Sequence, residues 1–390
     1  MKRRLLILVI VAAACGVRSA PAADVRFRGL LDLVLSSGYE GQEWNTLTQG
    51  DSNFDPYRLR VFADATVTPQ LDLFVQSILH ERGQPIVADG AYAQWTPWPD
   101  RDAHVQAGKI PWAIGTWGPR TYSDRNPLIG MPLMYQYHTD LPWAVSAPSV
   151  DAVVANAGNG QSGIAYGANS AGMGMPIVDD RWWDVGAVAL GSQRPFEYAF
   201  GVTQGTPGWP VTGQDETPGN TMLGRLGLAP VAGLRFGVSG AYGTWMPMWF
   251  KYALPAGDDL REYHEQLGMA DLELERGPWE LRGEGFVKAW QTIAAGTLRV
   301  NGGYGELRLG LGDGYWLAGR YDAMRFGDVT TSTGVTRPWD DDVDRMEVGG
   351  GYRLSRDVRL KASFQRDVLR PYQAPQDPDD LFALAMSIRF

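Results

Sequence analysis

Charged and aromatic side chains crowd into one stretch of this chain, Lys109 to Pro148, and their types and spacing are the ones best suited to chemistry. Lys109, Arg120 and Arg125 stand with Asp124 and Asp140 among Trp112, Trp117, Tyr122, Tyr135, Tyr137 and Trp143. Guanidinium and ammonium groups bind carboxylate and phosphate oxygens, so such a segment is equipped to hold polar solutes rather than to break bonds. Arg120 and Arg125 are the first residues expected to touch a solute. Signatures of bond-breaking sites are missing: there is no G-x-S-x-G, P-loop, H-E-x-x-H or C-x-x-C. His80, His104, His138 and His264 are scattered. Ser77 and His80 lie three apart, which on a strand points them to opposite faces. No catalytic centre, cofactor or resident metal is expected. The acidic runs Asp215-Glu216, Asp258-Asp259, Asp340-Asp341-Asp342 and Asp377 to Asp380 read as solvated surface or as sites for divalent cations.

The elements around that stretch read as strands. Strict alternation of apolar and polar residues marks a strand with two different faces. Val25, Phe27, Gly29, Leu31 and Leu33 alternate with Arg26, Arg28, Leu30 and Asp32. Tyr57, Leu59, Val61 and Ala63 do so with Arg58, Arg60 and Asp64, and Trp279, Leu281, Gly283, Gly285 and Val287 with Glu280, Arg282, Glu284 and Lys288. Val358, Leu360, Ala362 and Phe364 oppose Arg359, Lys361, Ser363 and Gln365. Parity slips once, between Thr297 to Val300 and Glu306 to Leu309, and Gly302, Gly303 and Gly305 would allow a β-bulge there.

High counts of Gly (48), Trp (15) and Tyr (16) fit a sheet in which only alternate residues meet an apolar medium. After the N-terminal leader there is no apolar run long enough for a membrane helix. The net charge is −9, and Lys2, Arg3, Arg4 and Arg18 lie in the leader, so the remainder is more acidic still. That balance speaks against nucleic acid as a partner. The leader has a basic start, an apolar stretch from Leu5 to Ala14 and a small-x-small site at Ala20-Pro21-Ala22. Residues 1–22 are therefore expected to be a removed signal peptide, with 23–390 the working domain. Cys15, the single cysteine, is either discarded with the signal or becomes an acylated first residue; it allows no disulfide within one chain.

Connections alternate between short and long. Tight turns fall at Thr68-Pro69-Gln70, Pro99-Asp100-Arg101, Gly191-Ser192-Gln193, Pro230-Val231-Ala232, Arg276-Gly277-Pro278, Gly312-Asp313-Gly314 and Ser355-Arg356-Asp357. Between them lie long stretches such as Ser36 to Asn53, Gly205 to Asn220, Gly327 to Asp342 and Arg370 to Asp379. This rhythm predicts an all-β fold, a transmembrane antiparallel up-and-down β-barrel with both termini periplasmic. The count is 18 strands if Asp151 to Asn156 and Gly163 to Ala168 are a strand pair, and 16 if they are loop. Phe382, Leu384, Met386, Ile388 and Phe390 alternate along the last segment, which ends on the aromatic residue. This resembles the terminal strand of bacterial outer-membrane proteins, and the whole pattern resembles the porin superfamily, with the phosphate-selective and related porins of similar size as the nearest relatives.

The resemblance implies a channel for passive diffusion of small hydrophilic solutes in the outer membrane of a Gram-negative bacterium. It implies that residues 109–148 fold inward as a constriction loop, which also hides their aromatic groups from water. Arg26, Arg28, Arg58 and Arg60 are expected to face the lumen on the first strands. Arg345, Arg353, Arg359, Lys361 and Arg389 are expected to do so on the last three, so closure makes one basic wall. Glu273, Glu280 and Glu284 would face it, giving either a transverse field with mild anion preference or merely a solvated interior. Trp95, Trp98, Trp183 and Trp279 are expected in an interfacial girdle or packed against a loop. The partners implied are the lipid bilayer, lipopolysaccharide, the insertion machinery that reads Phe390, small polar solutes and two further copies in a homotrimer. The alternatives left open are an enzyme or adhesin on a barrel scaffold, and a sleeve around a partner protein.

Overall fold

Sixteen antiparallel strands close on themselves in the computed structural model, which describes residues 24–37, 57–80, 87–156, 174–179, 182–210, 217–372 and 378–390. They are β1 (Asp24–Ser36), β2 (Tyr57–Thr68), β3 (Leu71–His80), β4 (Val87–Trp95), β5 (Ala103–Pro111), β8 (Trp183–Gln193), β9 (Phe196–Thr203) and β10 (Thr221–Val231). The circuit continues through β11 (Leu234–Thr244), β12 (His264–Arg276), β13 (Trp279–Gln291), β14 (Thr297–Gly312), β15 (Tyr315–Phe326), β18 (Asp342–Arg353), β19 (Val358–Arg370) and β20 (Asp379–Arg389). Two small ladders lie outside it, β6 (His138–Pro142) with β7 (Gly174–Pro176) and β16 (Asp328–Thr330) with β17 (Thr336–Pro338). Closure is made by β1 on β20, from Leu30 opposite Arg389 to Ser36 opposite Ala383.

The expected alternation sets which face each residue takes. On β1, Leu30, Asp32 and Val34 are buried inside, whereas Val25, Phe27 and Leu33 remain 47, 73 and 39 % exposed outside. Phe200, Met222, Leu226, Val238, Val287, Leu317 and Met346 continue this exposed apolar belt around the barrel. A belt of that extent is unfavourable in water and matches hydrocarbon, and the closed hydrogen-bond circuit leaves no sheet edge for lipid to meet. Trp95, Trp98 and Trp279 stand exposed at its turn end. Trp183 departs from the girdle expected of it. It is buried against the inward-facing Tyr92, with ring centroids 6.2 Å apart, where the long segment after β5 rejoins the wall.

The tight turns occur between the predicted strands, with two displaced by a few residues. Gly191 to Gln193 belong to β8, and the turn is made by Arg194 and Pro195, joined by a cis bond. The turn placed at Pro230 to Ala232 falls at Ala232 and Gly233. The count resolves to 16, and Val150–Ala155 is a short helix, α1, rather than a strand. Ser149 caps it by accepting from the Ala152 amide, and Val153 and Val154 are buried together, a helical spacing. Gly163 to Ala168 lie outside the described residues. The bulge expected in β14 is also absent. Its register with β13 runs unbroken from Gln291 opposite Thr297 to Trp279 opposite Leu309. Leu298 and Val300 face inward like Tyr304 and Glu306, because part of the lumen is apolar.

Candidate functional site

The lumen is occupied by the segment between β5 and β8, which carries β6, α1 and β7. Trp117, Leu128, Ile129, Leu133, Tyr135 and Tyr137 on it are all at most 1 % exposed. An apolar and aromatic stretch of this kind needs a dry neighbour, and the strands that surround it supply polar anchors for its backbone. On β18, Glu347 accepts the amides of Gly130 (2.9 Å) and Ile129 (3.2 Å) and also Arg320 of β15 (2.5 Å). Asp322 of β15 accepts the Leu133 amide at 2.9 Å. Lys361 of β19 donates to the carbonyls of Ser123, Asn126 and Leu128 at 2.8–3.2 Å. Glu284 of β13 accepts the Thr116 amide and, at 2.5 Å, the Tyr135 hydroxyl. Gly115 has φ +58°, and a Cβ there would sit 2.5 Å from a Glu284 oxygen, so a side chain is barred twice over. Ser239 of β11, Gln76 of β3 and Asp32 of β1 complete the circuit with Gly115, Tyr122 and Ser123.

Both ends of the lumen follow from this packing. At the loop end the inward segment meets Trp209, Trp245, Trp290 and Trp339 from the other loops and strand ends, and all four are buried. Three of these indoles are satisfied by Gln291 O, Glu265 and Arg299 O at 2.7–3.1 Å. Toward the turn end a cavity of about 560 Å³ remains, lined by Arg120, Asp124 and Arg125 of the segment and by charged wall residues. A smaller cavity of about 240 Å³ lies on the other side of Asp124 and Arg125, against β1 to β4.

The five residues singled out on the segment thus separate. Arg120 is ion-paired with Glu306 and lies over the Trp117 ring at 4.5 Å. Asp124 meets Arg389 at 3.3 Å, and Arg125 lies 5.8 Å from the Tyr122 ring centroid. Lys109 does not join them, since it sits on β5 and donates to the Ala88 carbonyl of β4 at 2.8 Å. Asp140, on β6, is buried with Asp340, one of the expected acidic surface runs. Asp340 accepts the Asp140 amide at 3.0 Å, the Asp341 amide at 2.7 Å and the Tyr137 hydroxyl at 3.0 Å. Burial pushes its carboxyl up to about 7, and hydrogen bonds from the Asp140 side chain and these donors oppose that rise.

The nine basic wall residues occupy inward register positions, but acids are interleaved with them. Arg28 pairs with Asp64, Arg58 with Asp32 (3.4 Å), Arg345 with Asp367 (2.7 Å), and Arg60 approaches Asp32 at 4.0 Å. Arg26 is exposed at the rim with Asp24. Lys361 holds the segment, and Arg353 and Arg359 line the larger cavity. On the far side Glu273 and Glu280 are matched by Arg235, Arg282 and Arg308, so that side is not simply acidic. Glu347, Asp322 and Glu306 were not singled out in the sequence. Alternation places them inward, yet only the folded segment shows what they hold.

No family model and no curated protein sequence matches this chain. Among solved structures it is similar to an anion-selective porin of Comamonas acidovorans, with a TM-score of 0.58 and 9 % identity over 94 % of this chain and 100 % of that one. It is also similar to OmpF of Salmonella typhi in complex with daunomycin, at 0.55 and 9 % over 94 % and 97 %. The outer-membrane channel DcaP of Acinetobacter baumannii gives 0.55 and 8 % over 96 % and 99 %. The chain has the porin fold. At such identities the likeness is one of architecture, and what the porin-fold barrel carries in its lumen rests on its own residues.

Proposed function

We propose that this chain is an outer-membrane channel for passive diffusion of small hydrophilic solutes, with mild preference for anions and with the segment 109–148 as its constriction. The supporting observation is the charged cavity of about 560 Å³ inside a barrel whose outer face is apolar, bounded by an inward segment anchored to the wall. No cofactor or catalytic step enters this reading. Its partners are the bilayer and lipopolysaccharide, the insertion machinery that reads the strand ending at Phe390, and two further copies in a trimer. An OmpT of Vibrio cholerae with the same fold is described in a trimer form.

Planar-bilayer recording from the refolded protein tests the reading. Ohmic current steps are expected, with a reversal potential in a salt gradient on the anion side. Absence of any step removes the channel, and clear cation selectivity removes the anion preference. A second reading is favoured by the tryptophan packing at the loop end, which suits a plugged scaffold for an enzyme or adhesin better than a sleeve around a partner. A silent bilayer would promote it.

A further inference from the structure

We propose that Arg353, Arg359 and Arg125 form a docking site, at the turn end of the lumen, for small solutes bearing carboxylate or phosphate groups. The inference rests on the lumen being a solute path. Eight arginines line the larger cavity. Five of them have carboxylate partners. Arg225 meets Asp271 at 2.7 Å and Glu197 at 3.1 Å, Arg235 meets Glu197 at 2.8 Å, Arg282 meets Glu275 at 2.8 Å, and Arg308 and Arg120 pair with Glu280 and Glu306. The side chains of Arg353, Arg359 and Arg125 make no ion pair or hydrogen bond among the described residues. The Arg125 guanidinium lies over the Tyr122 ring, 5.8 Å from its centroid.

Register makes this imbalance sharper. Arg353 of β18 stands directly opposite Arg359 of β19, and like charges in directly opposed positions repel. The other groups acting on Arg359 are Arg389 and Arg308, also repulsive, and Asp124, attractive. Asp124 already faces Arg389. Positive charge is therefore concentrated on one side of the cavity and neutralised on the other. Planar guanidinium forks from three separate chain elements suit a carboxylate or phosphate, each taking two parallel hydrogen bonds. Trp316 also lines the cavity, its indole N–H donating to the Pro127 carbonyl at 3.0 Å. A volume of about 560 Å³ is within the range of small-molecule sites.

The test is calorimetric titration of the refolded full chain in detergent micelles, at low ionic strength, with inorganic phosphate and separately with succinate. Saturable binding is expected, weakened as salt is raised. Arg353→Gln with Arg359→Gln should lower the affinity by about tenfold or more, the loss of charge-assisted hydrogen bonds at two forks. Circular dichroism and heat-shifted gel mobility check that the variant is folded; should it not fold, Arg125→Gln carries the same expectation from outside the wall. Saturation by one probe alone keeps the site and fixes its ligand class. No saturation by either, or affinity indifferent to the substitutions, overturns it. A protein that binds through these arginines but passes no current refutes the channel and keeps the site. One that conducts without such binding does the reverse.

Discussion

Glu347 accepts from three directions, from two successive amides of the inward segment and from Arg320, and it is fully buried. Truncation to Ala would strand two backbone donors and deprive Arg320 of one of its carboxylates, a loss on the order of 3 kcal/mol. That energy sits in the attachment of the segment, not in the strand ladder. Glu347→Ala is therefore expected to raise protease cleavage within residues 112–142 while the barrel keeps its heat-shifted mobility; unchanged cleavage would show that Glu347 is not an anchor. Asp340 supplies a pH-dependent counterpart. Its carboxyl, raised from 3.8 to about 7 by burial, binds more protons folded than unfolded between those values. Its contribution to holding Asp140 and Tyr137 is thus full below about pH 4 and falls as pH rises through 7. Current through the proposed channel is expected to be steadier at pH 5 than at pH 8, and Asp340→Asn should abolish that difference. A pH response that survives the substitution would place its origin elsewhere.

The seam between β1 and β20 is where the first and last strands must find each other. The Gly29 amide donates to the Phe390 carbonyl at 2.7 Å, the Phe390 amide returns to Gly29 at 3.0 Å, and the ring covers Gly29 so closely that a Cβ there would lie 2.3 Å from it. Gly29→Val should displace the ring and reduce the fraction of chain that closes, measured as loss of the heat-shifted band during refolding into micelles; full yield would show that the ring is dispensable to closure. Strands and turns were legible because lipid imposes a period of two and tight turns impose Gly and Pro. Legibility failed where the lumen ceased to be watery. Leu298 and Val300 broke the polar-inside rule and mimicked a parity slip, since their inward face packs on the segment. Val150–Ala155 was open to reading as a strand because six apolar-rich residues fit either period. Arg120, Asp124 and Arg125, expected together from residue type alone, do line one cavity. Lys109 and Asp140 were grouped with them only by sequence proximity, which does not fix the direction of a side chain.

A barrel of 16 strands encloses more space than its own inward side chains fill, and here the remainder is divided between a packed loop half and a charged turn half. The wall circuit does not depend on the segment for its backbone hydrogen bonds. Pro111 and Trp183, which flank the segment, are themselves register partners, so a turn of about four residues bridges β5 and β8. With residues 113–181 replaced by such a turn, Glu284, Asp322, Glu347 and Lys361 would lose their segment partners but gain water, which solvates inward charges adequately. The shortened protein is therefore expected to refold with its β-sheet dichroism and heat-shifted mobility intact. Flux through a pore is set by its narrowest cross-section, so single-channel conductance should rise by at least about twofold. The proposed anion preference should survive in part, because Arg353 and Arg359 belong to the wall. A folded shortened barrel with unchanged conductance would show that the constriction lies outside this segment. A chain that no longer folds would show that lumen packing, and not the strand circuit alone, holds the barrel closed.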